Sequence, residues 1–214
     1  MGFVVAIDGP AASGKGTLAA RLGAALGLPV LDSGLLYRAV GAAVMRSGGN
    51  LDDAATCEAA AMALDLDGLS EPDLRSPTMG EAASRVAIHP SVRAALVHIQ
   101  RAFAAREPGA VLDGRDIGTV IVKNAQAKLY VTASPEARAM RRWREASGRG
   151  EPASYEDVLA DILRRDQRDE GRAVAPLKPA ADAVLLDTTD LSIDAAFDAA
   201  RRIVEAARAR AGAA

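Results

Sequence analysis

Gly9-Pro10-Ala11-Ala12-Ser13-Gly14-Lys15 satisfies the spacing G-x-x-x-x-G-K, directly after the β-rich run Phe3-Val4-Val5-Ala6-Ile7-Asp8 and before leucines at spacing four, Leu18, Leu22 and Leu26. Strand, glycine loop, helix is the context in which this spacing holds phosphate. The glycines let successive backbone N–H groups turn inward around phosphate oxygens. The positive end of the helix dipole lies behind them, and Lys15 reaches the β and γ phosphates. A plain glycine turn accounts for Gly9 but not for Gly14 and Lys15 together. Gly16 stands where a Mg2+-binding Ser or Thr is usual and the hydroxyl follows as Thr17, so the motif alone does not settle direct ligation of Mg2+ by this hydroxyl. Asp113 ends the apolar run Ala110-Val111-Leu112. A carboxylate so placed either assists Mg2+, as in other phosphate-loop enzymes, or caps the strand end.

Phosphoryl transfer needs cations around the transferred group more than it needs covalent chemistry. The chain has 22 arginines against 4 lysines, and arginine binds phosphate through a planar fork. A GC-rich genome gives the same skew, so position has to decide. Between Arg138 and Arg149 stand five arginines and one acid, Glu145, and the spacing of Arg138, Arg141 and Arg142 puts them on one helical face. A second run, Arg164 to Arg172, follows the turn Ser147-Gly148-Arg149-Gly150. Two basic helices joined by a turn read as a lid over phosphate. The alternative is a solvated helical pair held by ion pairs such as Arg165 with Asp169.

The elements that position these groups follow from periodicity and breakers. Short apolar runs at Phe3–Asp8, Val30–Leu31, Gly109–Asp113, Ala127–Val131 and Ala183–Leu186 read as buried strands. Helical stretches lie between them, including Ser33 to Val44, Asn50 to Leu64, Thr78 to Ile88, the segment after Pro90, Ser134 to Arg144, Tyr155 to Arg168 and a last helix from Ser192. Alternation of strand and helix implies an α/β layered fold with a mostly parallel sheet. At 214 residues one domain is expected. A net charge of −2 removes the uniform basic surface that nonspecific nucleic-acid binding requires, leaving local anion sites. The longest stretch free of Asp, Glu, Lys and Arg, Leu22 to Leu31, is far short of the ~20 residues a membrane helix needs. With no targeting pattern at Met1-Gly2-Phe3-Val4 a cytoplasmic address is expected. Cys57, the single cysteine, is expected to be a buried helical spectator.

The chain resembles the bacterial cytidylate kinases, a family of nucleoside monophosphate kinases. The residues that carry the resemblance are Ile7-Asp8-Gly9-Pro10, Gly14-Lys15-Gly16-Thr17, Leu31-Asp32-Ser33-Gly34 with Tyr37-Arg38, Asp113-Gly114-Arg115-Asp116-Ile117-Gly118-Thr119, and Arg168-Asp169 leading to Arg172-Ala173-Val174-Ala175-Pro176-Leu177. They run in order over essentially the whole chain. The resemblance implies a three-layer fold like that of P-loop NTP hydrolases. It has a five-stranded, mostly parallel sheet, a region binding the nucleoside monophosphate at about 33–108 and a helical lid at about 134–172.

It also implies a monomeric ATP-dependent kinase of CMP and dCMP that uses Mg2+ and binds neither nucleic acid nor membrane. Gly9 to Thr17 would hold the ATP phosphates, and Arg38 with Arg115 the phosphate of CMP. Ser84, Arg93 and Asp116 would read the cytosine edge. Asp169 with Arg165 and Ser33 would bind the ribose, and Arg138, Arg142 and Arg172 would close over ATP and the transferred group. Lys15, Arg115, Arg142 and Arg172 then carry catalysis. For Ser33 and Ser84 a local cap or turn is the competing assignment. The family pattern carries a longer β-rich insertion where this chain has Asp65 to Pro77, so a trimmed loop is expected there, with base closure resting more on Arg93 and Asp116. A kinase of UMP or AMP is the near rival. A GTPase-like switch is the distant one, and no Asn-Lys-x-Asp motif occurs to support it.

Overall fold

The computed structural model describes residues 2–64, 72–150 and 154–212. In chain order the elements are β1 Phe3–Asp8, α1 Lys15–Leu26, β2 Val30–Asp32, α2 Ser33–Arg46, α3 Ala54–Met62, a 3₁₀ turn Pro72–Arg75, α4 Pro77–Val86, α5 Pro90–Ala104, and β3 Gly109–Gly114. A π-turn, Ile117–Ile121, follows, then β4 Ala127–Thr132, α6 Pro135–Gly148, α7 Tyr155–Glu170, β5 Val184–Asp187 and α8 Ile193–Gly212. The strands form one parallel sheet in the order β2-β3-β1-β4-β5. Helices cover both faces, and the alternation of β1 shows why they must: Val4 and Ala6 enter one apolar layer with Leu36, Val40, Val86 and Leu96. Val5 and Ile7 enter the other with Leu18, Leu22, Ala200 and Val204. A strand apolar on both faces cannot be left open to water.

Because β1 has β3 on one side and β4 on the other, the chain leaves its carboxyl end at the point where the strand order reverses, and a crevice opens there. The five strands fall where the apolar runs place them. The helix expected over Asn50 to Leu64 is shorter, because Asp53 caps it, its carboxylate accepting from the Ala55 N–H at 3.2 Å. Asp32 stands at the N-cap position of α2 without capping it; its carboxylate faces Arg75 at 3.6 Å instead. The turn expected at Ser147 to Gly150 begins late, since α6 runs through Gly148. Of the segment expected as a trimmed loop, 65–71 lies outside the described residues, and Pro77 already opens α4. Cys57 is buried on α3 as expected. Among the described residues no helix is long and apolar enough to cross a membrane.

Candidate active site

The loop between β1 and α1 is shaped by one close approach. A Cβ on Gly9 would stand 2.0 Å from the Val131 carbonyl oxygen, and Gly9 has φ +149, so only glycine passes β4 here. The loop then runs into the N-terminus of α1, whose first-turn N–H groups have no intrahelical acceptor and no acidic side chain nearby in the helix. Lys15 folds back over this cradle, its Nζ donating to the Pro10 carbonyl at 2.7 Å and to Ser13 Oγ at 3.4 Å. Burial, and next the Arg115 guanidinium, push the Lys15 ammonium down to about 7. A cation so desolvated, beside another cation, is poised for an anion.

Three carboxylates gather at the carboxyl edge of the sheet. Asp8 at the end of β1 is buried and accepts from the Ile117 and Gly118 N–H groups at 2.7 and 2.8 Å. It ties the π-turn to the phosphate loop, and burial holds its carboxyl up at about 6 against those bonds. Asp113 lies in register with Asp32 across β2 and β3. Burial, then the neighbouring Asp32, raises the Asp113 carboxyl to about 7. Its Oδ1 has no hydrogen-bond partner among the described residues. A plain strand-end cap would use that oxygen. An orphaned buried carboxylate oxygen beside a second carboxylate and a phosphate cradle suits a hydrated Mg2+, which takes one or two carboxylates and leaves its other places to water and phosphate.

The arginines sort into three groups. Arg38, Arg142 and Arg165, from α2, α6 and α7, converge over α4. Arg38 is braced by the Leu74 and Ser76 carbonyls at 2.7 and 3.1 Å. Arg165 is buried, with Nε and Nη1 lacking a hydrogen-bond partner among the described residues, and Asp161 stands 4.0 Å away. Burial, and next the Arg142 charge, lower both Arg38 and Arg165 to about 10. Buried guanidinium nitrogens without acceptors mark an anion site. In the second group Asp169 accepts from Arg115 Nε at 2.8 Å and from Arg172. The third is Arg93, paired to Asp116 at 2.5 Å in a buried bridge and lying 5.7 Å over the Tyr37 ring. Asp116 is free for it because Asp8, and not Asp116, caps the π-turn.

One cavity of about 820 Å³ joins these parts. It is lined by Ala11 to Thr17 with Lys15, by Ser33, Arg38, Ser84, Arg93, Asp113, Arg115 and Asp116, and by Arg142, Arg165, Asp169 and Arg172. Thr17 is exposed on its wall. Gly9 and Pro10 shape the loop from behind.

One expectation needs correction. Arg138 does not line the cavity: it donates to the Ala133 carbonyl at 2.8 Å, to the Ala11 carbonyl at 3.3 Å and to both oxygens of Asp166 at 2.6 and 3.1 Å. A guanidinium so engaged anchors α6 to α7 and to the phosphate loop and has no fork left for ATP. The alternative of a solvated helical pair also falls away, since Arg165 and Asp169 are both buried and Asp169 pairs with Arg115. Arg168 is a residue that the spacing of the arginines left without a role. It donates to Ser84 Oγ at 2.9 Å and pairs with Glu81 at 3.0 Å, holding α7 to α4 at the cavity wall. Thr188 was likewise missed. Its hydroxyl contacts the Ser13 and Thr132 carbonyls at 3.3 and 3.0 Å and accepts from Arg141 at 3.0 Å, knotting β4, β5, α6 and the phosphate loop. A threonine one residue past a strand carries no sequence signal for that task.

Comparison with known proteins bears directly on this cavity. The cytidylate kinase family model matches residues 5–206. A cytidylate kinase of Caulobacter vibrioides is 63% identical over 210 residues, covering 98% of this chain and 99% of that one. Those of Xanthobacter autotrophicus and Rhodopseudomonas palustris are 64% and 56% identical, each over 97% of this chain. An uncharacterized protein from Eubacterium ventriosum, solved by crystallography, shares the fold at a TM-score of 0.56 and 13% identity, over 96% of this chain and 99% of that one. The match runs from β1 to α8 and so takes in every wall of the cavity: this chain belongs to the cytidylate kinase family.

Proposed function

We propose that the chain transfers the γ-phosphoryl group of ATP to CMP and dCMP. The observation that carries this reading is the single cavity in which a phosphate loop, unpartnered arginines and a buried Arg93–Asp116 pair face one another. In this reading residues 1–214 form one domain, a monomer, with a CMP-binding region at about 33–108 and a lid at about 134–172. ATP lies with its phosphates on Ala11 to Thr17. The CMP phosphate lies among Arg38, Arg115 and the guanidinium groups over α4. Its oxygen is already anionic, so no general base is required; holding it in line with the γ-phosphate and excluding water are the chief tasks. Lys15, Arg115, Arg142 and Arg172 stabilise the charge on the transferred group. Asp113, with Asp32 beside it, would hold Mg2+ through its water shell, and Thr17 stands at the same wall; the ion supplies charge neutralisation between the phosphates.

Base choice follows from donors and acceptors. Cytosine offers an amine at C4 and acceptors at N3 and O2. Asp116 accepts, while Arg93 donates and the Ser84 hydroxyl accepts from Arg168. Uracil turns a carbonyl toward an acceptor and an N–H toward a donor, leaving buried groups unpaired. A coupled ADP-release assay should give kcat/KM for CMP at least ~10-fold above that for UMP. Faster turnover of UMP or AMP refutes the base assignment, and ATP hydrolysis without dependence on an acceptor refutes the kinase reading.

The lowered Lys15 ammonium gives a second expected outcome. With its value near 7 in the empty cavity, about half of the lysine is neutral at that pH and most of it above. Phosphate raises it again, so ATP binding between pH 7 and 9 takes up protons. Calorimetry in two buffers of different ionisation enthalpy reads this uptake directly. Proton release, or none, contradicts the desolvated state of Lys15.

A further inference from the structure

The three guanidinium groups over α4 stand at a place where the helix has no side chain. A Cβ built on Gly80 would meet Arg165 Nη1 at 3.2 Å, Arg38 Nη2 at 3.3 Å and Arg142 Nη2 at 3.4 Å. Gly80 itself is buried and sits in mid-helix, where glycine costs ~1 kcal/mol relative to alanine. Nothing in the backbone asks for glycine here, since α4 runs as regular helix through it. The packing below α4 does not ask for it either: the close approach between α2 and α4 is made by Gly41, whose Cβ would meet Ala82 at 2.7 Å. That approach does mean that α4 cannot retreat from the arginines. They in turn have little room to give: Arg38 is braced on the Leu74 and Ser76 carbonyls, and Arg165 is buried.

We propose that Gly80 is a positioning residue for the acceptor phosphate, its missing side chain being the floor on which Arg38, Arg142 and Arg165 close into one anion cup. The proposal rests on the CMP-kinase reading and adds to it a residue that touches neither substrate. A methyl group at 80 displaces the guanidinium tips of Arg165 and Arg38 by a few tenths of an ångström and meets Arg142 at an ordinary contact distance. It leaves the base end of the cavity, at Ser84, Arg93 and Asp116, and the phosphate loop untouched. The cost falls on the phosphate of the acceptor alone, while the helix gains propensity.

Gly80→Ala separates these effects because they carry opposite signs. By calorimetry the variant should bind CMP ~10-fold more weakly than the native protein and ATP equally well. The advantage of CMP over cytidine should shrink by the same factor, and Tm should be unchanged or higher. In the coupled assay KM for CMP rises and KM for ATP does not. Unchanged CMP affinity in the variant overturns the proposal, and so does a fall in Tm with equal losses for CMP, cytidine and ATP, which makes Gly80 a packing residue. Absence of CMP binding by the native protein is a different result: it removes the CMP-kinase reading and this proposal with it.

Discussion

Replacing Lys15 by alanine should lower kcat ~10³-fold, the range found when a preorganised charge at a developing anion is removed, and should move Tm by no more than a few degrees. The two halves have separate causes. In the ligand-free protein the lysine is a desolvated cation close to the Arg115 charge, tied to the fold mainly by one bond to the Pro10 carbonyl. Its removal forfeits about 1 kcal/mol of hydrogen bonding and relieves both burdens, so stability changes little. In the proposed reaction the same ammonium would stand against phosphates whose charge is redistributed through the transfer. Lys15→Met, which keeps the stem, should behave like alanine in kcat. Turnover within threefold of the native rate in either variant removes Lys15 from the mechanism.

Asp169→Asn should be the most destabilising change in the cavity, and it should also raise KM for CMP more than KM for ATP. Both carboxylate oxygens of Asp169 are engaged, by Arg115 and Arg172, and the side chain is 3% exposed. An amide there leaves two cations without their shared anion, a loss of ~3 kcal/mol for a buried pair, or ~6–12 °C in a chain of this size. The pH dependence fixes the sign. Burial works to raise the Asp169 carboxyl, yet Arg115 and Arg172 outweigh it and hold it below 3.8. A depressed folded value gives stability that is present above 3.8 and lost as pH falls through the depressed value. The gap between native and variant Tm should therefore be full at neutral pH and close in acid below about pH 4. A gap independent of pH assigns the loss to packing. Equal rises in KM for CMP and ATP reject the ribose assignment.

How much was legible beforehand depends on whether a residue acts through its neighbours in sequence or in space. The phosphate loop was readable because its chemistry is local: Gly9, Gly14 and Lys15 lie within seven positions of one another. The strands were readable because both faces of a parallel sheet are apolar. Arg93, Asp116, Arg165 and Asp169 came from resemblance, and they meet in the cavity although they come from three separate elements or connections, α5, the link after β3, and α7. What stayed hidden was partner choice. Arg138 and Arg142 lie one helical turn apart with the same chemistry, yet Asp166 claims Arg138 while Arg142 faces the cavity. Arg168 reaches Ser84 across 84 positions. The π-turn at Ile117–Ile121 depends on Asp8 arriving from β1, and no local pattern announces an acceptor more than a hundred residues away.

The anchoring of Arg138 also has a mechanical side. Because its guanidinium grips Asp166, Ala133 and Ala11 together, any tilt of α6 would carry α7 with it, as one lever with its fulcrum at the phosphate loop. Arg142 sits four residues along α6 from Arg138, an arm of ~6 Å, so a tilt of ~10° would carry it only ~1 Å, whereas the helix end at Gly148, an arm of ~15 Å, would travel ~3 Å. Such a lever would have gearing: a large swing at its tip would be reduced to a fine adjustment at Arg142 on the cavity wall. Lengthening α6 beyond Gly148 would widen the swing without altering that adjustment. Moving the arginine outward along the helix would coarsen it.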